Sequence, residues 1–356
     1  MPNHLKPKKL IVGVLMGGPS AEHEVSLATG KNVMDNLDKT KYRPIAIKLS
    51  KNKNQWFLNG RLSNIIQALK SCDIVFNALH GTFGEDGRVQ ALMEYYGTRY
   101  TGSGITASAL AMDKLRSREI FKLAGFCVPK TLKIKKNENY KARLNLFITK
   151  ITKFPVVVKP CSNGSSVGVQ IVRNNNALLK AIDEAFKLEK KVLVEEFIKG
   201  REVTCGVLDP ALQRPDASSK KDCSLSDEAG NFLTLTIGGV TALPVTEIIP
   251  VKGHKFFDYD AKYKTGHCWE VTPAQIDETT REKVQKIAVR AHQLLGCRGY
   301  SRTDMILKND SIYLLETNTL PGLTKNSLIP QAAKAAGLTF SQLLDKIIDS
   351  SLVNFN

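Results

Sequence analysis

The stretch SRTDMILKNDSIYLLETNTLPGLTKNSL, residues 301–328, decides how this chain is read. SRTDMIL and SIYLLETN each have strand character, and Lys308-Asn309-Asp310 between them is a turn signal. Side chains along a strand alternate faces, so Arg302 points with Asp304, and Glu316 with Asn318. Paired as a hairpin, the two strands would set one guanidinium beside three oxygen-bearing side chains. Oxygen donors of that kind suit a hard ion, Mg²⁺ or Mn²⁺, better than zinc. A guanidinium beside such ions suits holding phosphate and neutralising charge during phosphoryl transfer. The alternative is a solvated hairpin with ordinary surface charges. Charged positions among Met305, Ile306, Tyr313, Leu314 and Leu315 depart from the usual solvent alternation.

Around this stretch, the 356 residues are enough for two or three domains with real cores. Hydrophobic residues make up 42% and charged residues 24%, the balance of a soluble globular protein. No apolar run approaches the ~20 residues needed to cross a bilayer. The run LIVGVLM at 10–16 ends in Gly17-Gly18-Pro19 without a cleavage signature, so a first strand is expected there rather than a signal peptide. Seven scattered cysteines without a C-x-x-C exclude a disulfide framework and a structural zinc site, and they fit a reducing cytoplasm. The net charge of +17 raises nucleic-acid binding as a rival class. The lysines are dispersed and no aromatic platform accompanies them, so a lysine-rich surface with anionic small substrates is the preferred reading.

Strands at 10–16, 45–49 and 74–79 alternate with helical patterns, one beginning near Ser20 and one at 88–96. That alternation implies a parallel α/β sheet for about the first 110 residues. Ligands of such sheets collect at the strands' carboxyl ends, where Gly17-Gly18 and His80-Gly81 fall. Further on, a helix is expected at 113–123, strands at 155–159, 167–172 and 192–197, and helices at 177–188 and 340–352. The polar segment at about 209–238 is expected to be a long surface insertion.

Several segments carry candidate chemistry. PVVVK delivers Lys159 at a strand end, before a loop with Gly164, Ser165, Ser166 and Gly168. Such a loop can wrap phosphate oxygens, although it is not a Walker A loop, and a polar hairpin turn remains the alternative. Lys114 could supply a second phosphate contact; Glu195, Glu196 and Glu202 could meet a ribose or stand at solvated strand ends. Glu22 and Glu24 complement a helix dipole, or Glu22 receives a substrate ammonium. His80 stands on a glycine-rich loop at a strand's carboxyl end, a more suspicious place than a helix face. FFDYDAKYK at 256–264 could be an active-site lid carrying Lys262 and Tyr263, or an ordinary loop.

Taken in order, GGPSAEHEVS, ALHGTFGEDG, YTGSGITASALAMDK, PVVVKPCSNGSSVG, VLVEEFIKGREVT, FFDYDAKY, SRTDMI and LLETNTLPGLTKNSLIP resemble the ATP-grasp enzymes, and among them the D-alanine–D-alanine ligases. The resemblance implies a parallel N-terminal α/β (pre-ATP-grasp) domain at 1–113 followed by a two-lobed α+β ATP-grasp fold, its lobes at 114–200 and 201–356. It implies ATP and two Mg²⁺ or Mn²⁺ ions, two D-alanine substrates, a cytoplasmic role in making a peptidoglycan precursor, and a homodimer, without nucleic acid or membrane. Position by position, Lys114 and Lys159 would bind ATP phosphates under the loop that includes Gly164, Ser166 and Val167. Glu195, Glu196, Phe197 and Ile198 would line the adenine pocket, with Glu202 on the ribose. Asp304, Glu316 and Asn318 would hold the metals, while Arg302 and the Gly322 backbone would stabilise an oxyanion. Glu22 would meet the first D-alanine's ammonium, with His80 nearby, and Ser327 and Leu328 the second one's carboxylate. Tyr263, linked to Ser165 and Glu22, would close the lid as Lys262 reaches phosphate.

Two departures stand out. His23 takes a place where the family commonly has arginine, and the 209–238 segment is longer than expected. Tyr263 is absent from related ligases that use D-lactate, so its presence favours D-alanine as second substrate. The rivals are another carboxylate–amine ligase of the same fold and a non-catalytic basic nucleic-acid binder.

Overall fold

The computed structural model describes residues 8–52, 55–162, 168–209, 233–250 and 268–353. Three sheets follow one another along the chain. The first holds β1 (Leu10–Gly17), β2 (Tyr42–Leu49), β3 (Trp56–Leu58), β4 (Arg61–Ser63) and β5 (Ile74–Asn77), in the order β4-β3-β2-β1-β5. β1 runs parallel to both β2 and β5, as the α/β alternation requires. The short antiparallel strands β3 and β4 extend that sheet and were not foreseen. β1 is almost continuously apolar because helices and loops cover both its faces. Gly17 at its end has φ +92°, and a Cβ there would stand 2.5 Å from the Leu49 carbonyl oxygen. Only glycine turns the chain there.

Helix α1 (His23–Asn36) then begins three residues after Ser20. Ser20, near which the helix was expected to begin, therefore lies before it. Glu22 occupies the cap position, and the Ser20 hydroxyl accepts the Glu22 N–H at 3.1 Å. α2 (Ile65–Lys70), α3 (Arg88–Tyr95) and α4 (Ile105–Met112) follow. α5 (Lys114–Leu123) is capped by Asp113, whose carboxylate accepts the Leu115 and Arg116 N–H groups at 3.2 Å.

The second sheet comprises β6 (Thr131–Lys135), β7 (Val156–Pro160), β8 (Gln170–Val172) and β9 (Lys191–Glu196), in the order β6-β9-β7-β8. Its Val156, Val158, Val192 and Val194 face α6 (Lys141–Leu146) and α7 (Asn175–Leu188) in one core. The opposite face carries Lys159 and Glu195.

The third sheet has seven strands: β10 (Arg201–Leu208), β11 (Leu235–Ile237), β12 (Val240–Ala242), β13 (Thr246–Pro250), β14 (Cys268–Val271), β15 (Tyr300–Lys308) and β16 (Ser311–Asn318). The expected insertion is thus shorter at its far end, since 235–237 is a strand; 210–232 lies outside the described residues. Val203, Cys205, Val207, Met305 and Leu314 form a core with α8 (Glu278–Leu295), joined by Ala107 and Ala111 of α4 and Phe121 of α5. α9 (Leu328–Ala335) and α10 (Phe340–Val353) pack with β1 and β5 in a core that also takes Leu208, Tyr300 and Leu320. The first sheet and the third are therefore buried against common elements. Among the described residues no helix is long and apolar enough to cross a membrane.

Candidate active site

β15 and β16 pair antiparallel, with Arg302 opposite Asn318 and Asp304 opposite Glu316. Alternation alone does not produce this arrangement. Leu314 is buried in the core, yet Glu316, two residues on, belongs to the other face. The register shifts between Asp304 and Met305, leaving Leu315 as an extra residue on β16. This bulge reverses the phase of the strand, so that Leu314 stays in the core while Glu316 and Asn318 turn outward. On the core side Thr303 and Thr317 bond through their hydroxyls at 3.0 Å. On the other side Arg302 grips Asp304 with two bonds of 2.8 and 2.9 Å. The four groups thus share one face of the ribbon.

The next strand supplies a residue that pattern reading missed. Thr204 on β10 stands in register with Asp304, and its hydroxyl donates to the Asp304 carboxylate at 2.6 Å. Glu202 lies two positions earlier on the same face, paired with Ile306 in β15 and Ile248 in β13. Beyond Ile248 stands Glu270 of β14, bonded to Gln331 of α9 at 2.5 Å. Burial raises the Glu270 carboxyl above its ordinary range, partly offset by Gln331 and Arg302. A carboxylate in a short strand bordered by valine and tryptophan left no pattern to find.

The second sheet and α5 face the ribbon with cations. Lys114 Nζ reaches Glu316 at 3.2 Å. Lys159 Nζ reaches Glu195 at 2.9 Å, a diagonal contact between β7 and β9. Arg118, one turn after Lys114, pairs with the other Glu195 oxygen. Burial, together with the charges of Arg118 and Lys114, lowers the Lys159 ammonium to about 8, against the pull of Glu195 and Glu316. Burial would push the Glu195 carboxyl upward, but Arg118 and Lys159 outweigh it and hold it below the ordinary value. Ile198 is buried and Phe197 half-buried just past β9, whereas Glu196 turns to the Lys130 N–H at 3.4 Å.

The first sheet contributes a separate polar cluster. His80 is buried, with Nε2 2.9 Å from the Thr29 hydroxyl and Nδ1 3.7 Å from Glu85. Burial would lower this imidazole, yet Glu85, Glu22 and the Leu320 carbonyl raise it above its ordinary value. A Cβ on Gly81 would stand 2.7 Å from the Glu22 carboxylate, which places Glu22 over the His80 loop. After β16, Asn318 Oδ1 accepts the Leu320 N–H at 3.0 Å. A Cβ on Gly322 would lie 2.9 Å from Ser327 Oγ, so these two positions adjoin. Ser327 precedes α9, whose first N–H groups, Leu328 among them, have no acceptor within the helix. Gly164, Ser165, Ser166, Val167, Lys262 and Tyr263 lie outside the described residues.

Among the described residues no three His, Cys, Asp or Glu side chains form a metal cluster. The ribbon instead offers two carboxylates and an amide oxygen. Cations already stand on both carboxylates, Arg302 on Asp304 and Lys114 on Glu316. An all-oxygen set that attracts cations fits a hard divalent ion.

The family model described as D-ala D-ala ligase N-terminus matches residues 11–68 and 59–103, and the D-ala D-ala ligase C-terminus model matches 120–228 and 228–349. The D-alanine–D-alanine ligase of Syntrophobacter fumaroxidans is 38% identical over 353 residues, covering 98% of this chain and 99% of the relative. The D-alanine–D-alanine ligase from Bacillus anthracis, solved in complex with ATP, superposes with a TM-score of 0.74 at 32% identity, covering 96% of this chain and 97% of that one. The VanG D-Ala:D-Ser ligase from Enterococcus faecalis superposes with a TM-score of 0.75 at 31% identity, covering 96% and 99%. With the ribbon, the facing lysines and both family models in one chain order, the chain belongs to the D-alanine–D-alanine ligase family.

Proposed function

We propose that the chain is an ATP-dependent carboxylate–amine ligase that joins two D-alanine molecules for peptidoglycan precursor synthesis. The observation that carries the residue assignment is the shared face of Arg302, Asp304, Glu316 and Asn318, opposed by Lys114 and Lys159. Lys114 and Lys159 take the ATP phosphates, with Gly164, Ser166, Val167 and Lys262 completing that grip. Glu195, Glu196, Phe197 and Ile198 border the adenine, and Glu202 meets the ribose. Asp304, Glu316 and Asn318 hold two Mg²⁺ or Mn²⁺ ions, which neutralise triphosphate charge when bound.

Glu22 receives the first D-alanine's ammonium beside His80. That substrate's carboxylate oxygen attacks the γ-phosphorus, and ADP leaves. The second D-alanine, its carboxylate at Ser327 and the Leu328 N–H, gives an ammonium proton to a phosphate oxygen of the acyl phosphate and attacks the acyl carbon. Arg302 and the Gly322 backbone stabilise the resulting oxyanion, a role worth ~3–4 kcal/mol in comparable sites. Collapse expels phosphate and leaves the dipeptide. Tyr263 and Ser165, linked to Glu22, close the site and exclude water that would hydrolyse the acyl phosphate. The division at 113 and 200, a homodimer and a cytoplasmic setting belong to the same proposal.

ADP release is to be measured with D-alanine, L-alanine, D-serine and D-lactate. Release that depends on D-alanine and yields the dipeptide is expected. Salt-sensitive nucleic-acid binding without D-alanine-dependent release would overturn the proposal.

A further inference from the structure

One buried side chain outside these roles ties the ribbon to the second sheet. Arg118 is 3% exposed and lies on α5 one turn after Lys114, so the two project from one face of the helix. Its Nε donates to the Leu315 carbonyl at 2.9 Å. Leu315 is the extra residue of the β16 bulge, so this bond holds the bulge itself. Nη1 donates to the Thr131 hydroxyl at 3.2 Å and to Glu195, which in turn holds Lys159. Nη2 is buried and finds no hydrogen-bond partner among the described residues. A single planar fork thus joins the ribbon, β6 and the carboxylate of β9 across about two hundred positions of sequence.

We propose that Arg118 is a positioning residue of the ligation: it fixes the bulge that turns Glu316 toward the metals and holds Glu195 against Lys159 at the nucleotide. The inference rests on the assignment of Glu316 and Lys159 proposed above. Its physical basis is that a guanidinium presents donors in a fixed plane, and three are spent here on groups from two different sheets. A lysine has one point charge on a flexible stem and cannot hold both the Leu315 carbonyl and Glu195 in that geometry. Nη2 is a further donor in a dry place, ready for a water or nucleotide acceptor once ATP is bound.

The test uses the full chain with Arg118→Lys and Arg118→Met. Calorimetric binding of a non-hydrolysable ATP analogue is measured with and without Mg²⁺, alongside steady-state kinetics. In both variants the Mg²⁺-dependent gain in analogue affinity is expected to fall about tenfold, as when groups supporting a metal ligand are lost. KM for ATP rises with it, while KM for D-alanine stays at the wild-type value. Normal analogue affinity and Mg²⁺ response in a folded variant, with only a lowered Tm, would make Arg118 a packing residue and overturn the proposal. So would equal rises in both KM values. If Arg118→Met does not fold, Arg118→Lys decides, because it keeps the charge and loses only the fork. Wild-type protein in the same assay separates the two claims: absence of D-alanine-dependent ADP release there would sink the functional reading, whereas its presence beside unaltered variants sinks this inference alone.

Discussion

Arg118, Glu195 and Lys159 are 3%, 3% and 9% exposed, whereas Arg302, Glu316 and Asn318 on the ribbon are half-buried. Both regions set cations against carboxylates, yet the settings differ. In the buried cluster one carboxylate satisfies two cations, and no solvent can take its place. On the ribbon the charges are aimed by strand alternation and a bulge, and they remain open to a ligand. Losing the shared carboxylate of the first group therefore threatens the fold, whereas losing the guanidinium of the second threatens the chemistry.

The strongest way to break this contrast is Glu195→Ala, which strands two buried cations and should cost ~3–5 kcal/mol of stability. Urea unfolding measures it, and Glu196→Ala, whose carboxylate accepts one long bond from the Lys130 N–H, should cost less than about 1 kcal/mol. Equal losses would erase the distinction.

Arg302→Ala tests the other side. Turnover should fall about 10²–10³-fold with the unfolding midpoint nearly unchanged, because Thr204 still donates to Asp304. Retained wild-type turnover would contradict the oxyanion role.

Lys159 sharpens the contrast through pH. Its ammonium is lowered to about 8, so it is charged at neutral pH and loses its proton as pH rises past that value. kcat/KM for ATP should then fall about tenfold per pH unit above 8, the profile of a free-enzyme group that must be protonated. Lys159→Arg, which cannot be deprotonated there, should extend the plateau. The smallest expected effect is Thr204→Val, which removes one buried bond to Asp304 and should cost about 1 kcal/mol in unfolding, with Thr204→Ser restoring it.

The parts of this site that a sequence displays are those built from local repetition. Alternation along 301–318 placed Arg302 with Asp304 and Glu316 with Asn318, and the strand end at Lys159 and the helix at Lys114 followed from equally local signals. The bulge at Leu315 was not legible, because alternation assumes a constant phase and Leu314 and Glu316 share a parity while occupying opposite faces. Arg118 and Thr204 were missed for another reason. Their partners lie 197 and 100 positions away, and an arginine or threonine in an ordinary helix or strand has no local mark of that distance. β3 and β4, three residues each, were too short for periodicity to register.

The most direct measurement follows the oxygen that the ribbon and lysines are aligned to transfer. D-alanine labelled with a heavy oxygen isotope in its carboxylate is turned over with ATP, and the released phosphate is analysed by mass. One labelled oxygen per phosphate is expected, because the acyl phosphate's bridging oxygen leaves with phosphorus when the amine attacks carbon. Dipeptide formed alongside unlabelled phosphate would contradict an acyl phosphate made at this site.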